Sequence, residues 1–315
     1  MNGIENSWQP EFQPSYYEKK VLITGANGFI GKNLVEALDK LNANVFCIDR
    51  DNSPSDTAIK SQYQQVDLAN LLLVNEVISK FEPEIIFHLA GLVTARQDRD
   101  LVIPMIDNNL LGTVNLFLAA NQSNLDRIVI ITSPEDRQGN IPTSPYGASK
   151  AATVIYARMF HHLYSLPVVI VRLFFVYGPK QKHDKLIPYT VNSMLQNQSP
   201  KLGSGNRICD FIFVQDVVHG LLKAGIQKNL DGETLEIGSG KGITIQDLIS
   251  MIDSIYPFSA KPSFGAIDDR FFESSQVANL DMYRGIWNWE PRWSLREGLT
   301  KTIMAYKEEL KNSDG

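Results

Sequence analysis

Two side chains four residues apart, Tyr146 and Lys150 in SPYGASKAAT, offer acid–base chemistry. On a helix this spacing puts them on one face, about one turn apart. An ammonium beside a phenol favours the phenolate, lowers its pKa from about 10 and fits Tyr146 to exchange a proton near neutral pH. The plainer reading is an exposed Tyr and Lys on a helix face, and the spacing alone does not decide between them. Upstream, Ser133 closes the apolar run RIVIIT (127–132), where its hydroxyl would bond a reacting hydroxyl or carbonyl, with Thr132 as its competitor. Asn109, in DNNLLGTVNL, is either a structural helix residue or the holder of a water near Lys150. No metal site is assigned.

A second chemical feature lies near the start, in KVLITGANGFIGKNLVEAL, where Gly25, Gly28 and Gly31 follow a strand-like run and open a helical pattern. Gly25 allows a tight turn, Gly28 lets backbone approach a pyrophosphate drawn by the helix N-terminus, and Gly31 lets the helix sit close to the strand. The spacing is GxxGxxG rather than GxGxxG, and a bare strand–turn–helix is the plainer reading. Asp49, which ends the next apolar run 18 positions after Gly31, tips the reading toward a dinucleotide. A carboxylate there accepts hydrogen bonds from the adenosine ribose and repels a 2′-phosphate, which favours NAD over NADP. Arg50 works the other way, because a guanidinium beside that ribose tolerates the phosphate. A nicotinamide cation would add to the effect of Lys150 on Tyr146. Asp67, in QVDLA, is placed to hold the adenine amino group or to N-cap the next helix. HLAG (88–91) ends in Ala90 and Gly91, past which the cofactor backbone can run closely.

The elements that must position these groups are legible as an alternation. KVLIT (20–24), NVFCID (44–49), EIIFHLA (84–90), RIVIIT (127–132) and VVIVR (168–172) are short continuous apolar runs, as in parallel strands buried on both faces. Between them lie helical patterns over Phe29–Leu41, Leu68–Lys80, Asn108–Ala120 and Tyr146–Leu163. This predicts an α/β fold, a Rossmann-type doubly wound parallel sheet with a smaller C-terminal substrate-binding lobe. Residues 19–178 form the dinucleotide domain, and 179–315 the smaller lobe, partly interleaved with the sheet. Helices are expected near 187–197 and over 294–310. Residues 1–18 read as a poorly ordered lead-in, unless Trp8, Phe12, Tyr16 and Tyr17 pack on the body or a partner.

Composition narrows the classes. The 315 residues are 43% hydrophobic and 21% charged, which suits a soluble globular chain. A net charge of −5 points to neither nucleic acid nor an anionic membrane surface. No apolar run approaches the roughly 20 residues of a membrane span. Two cysteines, Cys47 and Cys209, exclude a disulfide framework, and the start carries no apolar signal core; a cytoplasmic protein is expected.

Together the chain resembles the extended short-chain dehydrogenase/reductase family, of the NAD-dependent nucleotide-sugar epimerase/dehydratase type. The likeness runs over roughly 20–305 through TGANGFIG (24–31), HLAG (88–91), NLLGT (109–113), YGASK (146–150), RLFFVYGPKQ (172–181), DFIFVQDVVHG (210–220) and WNWEPRWSLREGL (287–299). It implies that Ser133, Tyr146 and Lys150 are catalytic. It also implies that Asn27, Phe29 and Ile30 join the glycines around the cofactor, with Leu68, Leu89, Phe174 and Val176 lining it, and that Thr94 faces a nucleotide-diphosphate sugar. A homodimer through the helices near 108–121 and 146–163 is implied as well. Several positions depart from the family pattern. Phe175 stands where the family has a substrate-holding Asn. Cys209-Asp210-Phe211 replaces Arg-Asp-Phe, leaving Arg207 and Arg270 either to clamp a diphosphate or to lie at the surface. Ser133-Pro134-Glu135-Asp136 replaces the dehydratases' Thr-Asp-Glu, and only 13 residues separate Ser133 from Tyr146. An epimerase working through a keto sugar is the first expectation. A 4-ketoreductase, a 4,6-dehydratase, a dehydrogenase on a non-nucleotide substrate and a non-catalytic NAD-binding subunit are the alternatives.

Overall fold

The computed structural model describes residues 9–51, 61–94, 96–136, 141–269 and 275–313. Ten strands are formed: β1 (Lys20–Thr24), β2 (Asn44–Asp49), β3 (Gln62–Gln65), β4 (Ile85–His88), β5 (Arg127–Thr132), β6 (Val168–Leu173), β7 (Phe175–Tyr177), β8 (Ile208–Phe213), β9 (Thr234–Ile237) and β10 (Gly242–Thr244). The helices are α1 (Gln9–Tyr16), α2 (Phe29–Lys40), α3 (Leu71–Phe81), α4 (Val102–Met105), α5 (Gly112–Ala120), α6 (Pro145–Tyr164), α7 (Leu186–Leu195), α8 (Val214–Ile226), α9 (Ile245–Ile255) and α10 (Leu295–Ser313).

Seven strands form one sheet in the order β3-β2-β1-β4-β5-β6-β9, and the pairings from β3 through β6 are parallel. Leu22, Ile23, Ile86, Phe87, Val129, Ile130, Val169 and Ile170 are fully buried, because helices cover both faces. Only β3 is polar, with mostly exposed glutamines, and it lies at the edge, where polar side chains discourage pairing with another chain. Chain order reverses between β1 and β4; at such a reversal two loops diverge and leave a crevice beyond the strand ends. A three-stranded sheet follows the order β10-β8-β7.

The chain divides into two compact units. One comprises Met1–Leu173, Val218–Glu236 and Tyr283–Trp289; the other comprises Phe174–Val217, Ile237–Met282 and Glu290–Gly315. Later segments thus return to the first unit, and no single cut separates the two.

Three expectations are corrected. The lead-in contains α1, which buries Phe12 and Tyr16; the Tyr16 hydroxyl donates to the Leu222 carbonyl at 2.7 Å. Two aromatics one turn apart give this short polar helix an apolar contact face. Trp8 lies outside the described residues. Asp67 does not cap α3: its carboxylate accepts from Ala69 N, and Asn70 Oδ1 takes the N–H groups of Leu72 and Leu73 instead. The helix expected to begin at Asn108 runs from Arg99 through a π-type segment, Ile106–Leu111, to Ala120. This helix is long and apolar enough to cross a membrane by length and composition only, a test that the core helix of a soluble protein also passes.

Candidate active site

The turn from β1 to α2 is built by leaving side chains out. Gly25 has φ +72°, and a Cβ there would stand 2.6 Å from the Ala90 nitrogen. A Cβ on Gly31 would stand 2.2 Å from the Gly25 carbonyl oxygen. Gly28 begins α2 with no side-chain cap, so the helix presents its first N–H groups and the positive end of its dipole beside exposed backbone. Asp49, at the end of β2, braces the turn by accepting from Asn27 N at 3.0 Å. A glycine cradle, a bare helix N-terminus and a carboxylate one strand away suit a dinucleotide: the first two take a pyrophosphate, and the third takes ribose hydroxyls. Phe29 and Ile30 in the first turn of α2 are half-buried, as is Leu89, which follows β4. Leu68 is buried in the core, and Asp67 is exposed.

Behind the turn runs a buried hydrogen-bond chain that the sequence did not announce. Ala90 N donates to Thr24 Oγ1 at 3.2 Å, Thr24 Oγ1 lies 2.7 Å from His88 Nδ1, and His88 Nε2 lies 2.7 Å from Thr113 Oγ1. Thr113 spends its one proton on the Asn109 carbonyl at 2.6 Å, so it accepts from Nε2–H, and Nδ1 accepts from Thr24. His88 is therefore neutral. Burial, with the positive charge of Lys150 adding to it, drives its pKa down to about 3. The chain ties β1, β4 and the long helix together at the point where β1 and β4 diverge.

The side chains of Ser133, Tyr146 and Lys150 come together, with one correction. Lys150 Nζ lies 5.9 Å from the centre of the Tyr146 ring, and the Ser133 hydroxyl is the neighbour that favours the phenolate. Thr132 is not its rival, because its hydroxyl donates to Asp136 at 2.7 Å. Lys150 is buried, donates to the Ile131 carbonyl at 2.9 Å and is pulled down to about 8 by burial, against the opposing pull of Asp136. The phenol is not acidified by the protein alone. Burial pushes the Tyr146 pKa up, the Glu135 and Asp136 carboxylates add to this, and the Ser133 hydroxyl opposes it. Asn109 is the structural alternative: its amide takes Leu92 N at 2.7 Å and donates to Leu92 O and to Ser149 Oγ, fixing the loop after β4 to α6. Gly91 sits in that loop, where a Cβ would stand 3.7 Å from Lys150 Nζ.

Around this cluster lie carboxylates whose partners are distant in sequence. Asp136 accepts from Arg172 Nε at 2.6 Å, and Arg172 Nη1 donates to Glu236 at 2.9 Å; all three are buried. Glu135 accepts from Ser144, the N-cap of α6, at 2.8 Å and packs against Gly147, one residue past the tyrosine. Ser144 also accepts from Gly147 N at 3.0 Å, which explains why α6 begins where it delivers Tyr146.

In the second unit, Phe174 is buried while Phe175 and Val176 are half-buried on β7. The Arg207 guanidinium lies 5.0 Å over the Phe175 ring, and Phe175 pairs with Phe211 across the β7–β8 ladder. Asp210 faces the other way, fully buried, and accepts from Ser239 N, Ser239 Oγ, Gly240 N and Ala278 N. Cys209 is buried and forms no disulfide. Thr94, in the first unit, accepts from Arg96 N. Arg270 lies outside the described residues. Among the described residues no cluster suits a metal.

The sequence model of the NAD dependent epimerase/dehydratase family matches residues 21–238. The UDP-glucuronate 4-epimerase of Thermodesulfobacterium geofontis is 27% identical over 92% of this chain and 96% of its own. Among solved structures, epimerase Mth375 of Methanothermobacter thermautotrophicus superposes with a TM-score of 0.86 at 26% identity, covering 98% of this chain and 97% of that one. The UDP-glucuronic acid 4-epimerase of Bacillus cereus, in complex with UDP-glucuronic acid and NAD, gives 0.82 at 26%, covering 92% and 99%.

Proposed function

Since the chain belongs to the NAD dependent epimerase/dehydratase family, and so is an NAD-dependent enzyme, we propose that it inverts C4 of a UDP-sugar through a keto sugar. The observation that carries this reading is the Ser133–Tyr146–Lys150 cluster beside the glycine cradle. Gly25, Gly28, Gly31, Asn27 and Asp49 would hold the pyrophosphate and adenosine end of NAD. NAD bound there would supply reversible hydride transfer, the redox chemistry that inversion through a keto sugar requires. Tyr146 takes the proton of the sugar hydroxyl and later returns it. Burial and the Glu135 and Asp136 carboxylates disfavour its phenolate in the protein alone, so the positive charge of the nicotinamide would be what makes that form accessible. Ser133 orients the same oxygen, and Lys150 holds the nicotinamide ribose. Arg207, steadied over Phe175, and Arg270 take the diphosphate.

The test is incubation with UDP-glucuronic acid or UDP-glucose and identification of the product by NMR, with the C4 epimer expected. Tyr146→Phe should cost about 10²–10⁴-fold in rate while NAD still binds; an unchanged rate would overturn the assignment. Glu135, beside the first turn of α6, supports 4,6-dehydration as the second reading, and a 4-keto-6-deoxy product would select it. We also propose a homodimer through the long helix and α6, whose outward faces expose Val102, Ile103, Ile106 and Leu118, and Ile155 and Leu163. Sedimentation at twice the chain mass is expected, and a monomer would refute it.

A further inference from the structure

We infer that Asn108 sets cofactor choice, by holding the Arg50 guanidinium away from the carboxylate that faces the adenosine ribose. Asp49 and Arg50 are adjacent at the end of β2, yet they turn to different neighbours. Asp49 Oδ2 accepts from Asn27 N at 3.0 Å and so faces the glycine turn. Arg50 Nη1 donates to Asn108 Oδ1 at 2.8 Å, on the long helix. Asn108 is itself oriented: its Nδ2 donates to the Pro104 carbonyl at 2.8 Å, which leaves Oδ1 as the atom presented to the guanidinium. The Arg50 carbonyl is held as well, by Gln65 Nε2 at 2.9 Å from the edge strand β3.

The two side chains carry opposite instructions. A carboxylate beside the ribose refuses a 2′-phosphate, and a guanidinium accepts one. With the Arg50 side chain held by Asn108 and its backbone by Gln65, Asp49 alone governs the ribose. The tether is one hydrogen bond between largely exposed groups, so it biases the position of Arg50 by a modest amount and its release should be read as a modest change.

The experiment measures Kd for NAD⁺ and NADP⁺ by calorimetry on the full chain, with no turnover involved. Asp49→Asn removes the repelling charge. In that background Asn108→Ala should tighten NADP⁺ by a further factor of about three to ten, leave NAD⁺ essentially unchanged, and lose the whole gain when Arg50→Ala is added. The inference is overturned if Asn108→Ala leaves NADP⁺ affinity unchanged, tightens both cofactors alike, or keeps its gain without Arg50. Because Asp49 also braces Asn27, its variant risks misfolding; Asn108→Ala alone then serves, and the ratio of NADP⁺ to NAD⁺ affinity should rise by the same factor. Failure of the wild-type chain to bind NAD⁺ would instead count against the cofactor assignment and is separately visible.

Discussion

The turns that follow β1 and β5 flank the central strand β4, one on either side, and are made in opposite ways. After β1 the chain makes room by omission: three glycines, a helix start without a side-chain cap, and backbone oxygens where Cβ atoms would collide. After β5 it fills the space with bonded polar side chains: Thr132 on Asp136, Arg172 on Asp136 and on Glu236, and Ser144 on Glu135. The first tolerates nothing added, and the second tolerates nothing removed. A surface that must accept a ligand's phosphates is best left as backbone, whereas a surface that must hold one phenol and one ammonium needs its charges fixed by other charges.

That contrast can be broken from either side. The largest effect should come from adding to the first turn. Gly31→Val puts a side chain into the Gly25 carbonyl, and we expect a loss of about 4 kcal/mol or more in stability together with NAD binding; thermal melts and calorimetry with NAD⁺ would check both, and a variant that melts and binds as wild type does would contradict the cradle. Next is a removal from the second turn. Arg172→Met strands two buried carboxylates and should cost about 3–5 kcal/mol in denaturant unfolding; a cost near that of a surface ion pair would show the network to be incidental. The smallest effect concerns the buried hydrogen-bond chain behind the first turn. His88→Leu orphans Thr24 and Thr113 and should cost about 1–3 kcal/mol. Because the folded His88 pKa is depressed from 6.5 to about 3, its contribution is complete above pH 6.5 and is lost as pH falls toward 3. The variant should lack that acid slope in unfolding titrations, and a slope retained in full would assign the titration elsewhere.

The sequence disclosed the first turn far better than the second, for a physical reason. Glycine spacing after an apolar run is a local signal, since what it encodes is the path of a few consecutive residues. The strands β1, β2, β4, β5 and β6 were equally legible, because burial on both faces leaves an unbroken apolar run. Tyr146 and Lys150 were found through helical periodicity, and Ser133 through its place at a strand end. Asp136, Arg172 and Glu236 could not be paired, because their meeting depends on which strands become neighbours, and β5, β6 and β9 carry one each or adjoin one. The direction of the Tyr146 shift was misjudged because two neighbours on a helix say nothing of how deeply the phenol is enclosed. Asp67 lost the capping role to Asn70 because α3 begins three residues later than the apolar pattern suggested, and α1 went unseen because two aromatics in a polar octet leave little periodicity to read.

The π-type segment within the long helix carries one consequence more. Asn108 and Asn109 are consecutive, yet the first serves Arg50 at the tip of β2 and the second serves Leu92 and Ser149, which lies on α6. A wide turn takes in one residue more than a regular one while the turns on either side of it keep their faces. Dropping a residue from Ile106–Leu111 would restore the regular winding without turning the flanks, and the widened stretch that seats the two asparagines on separate neighbours would be lost.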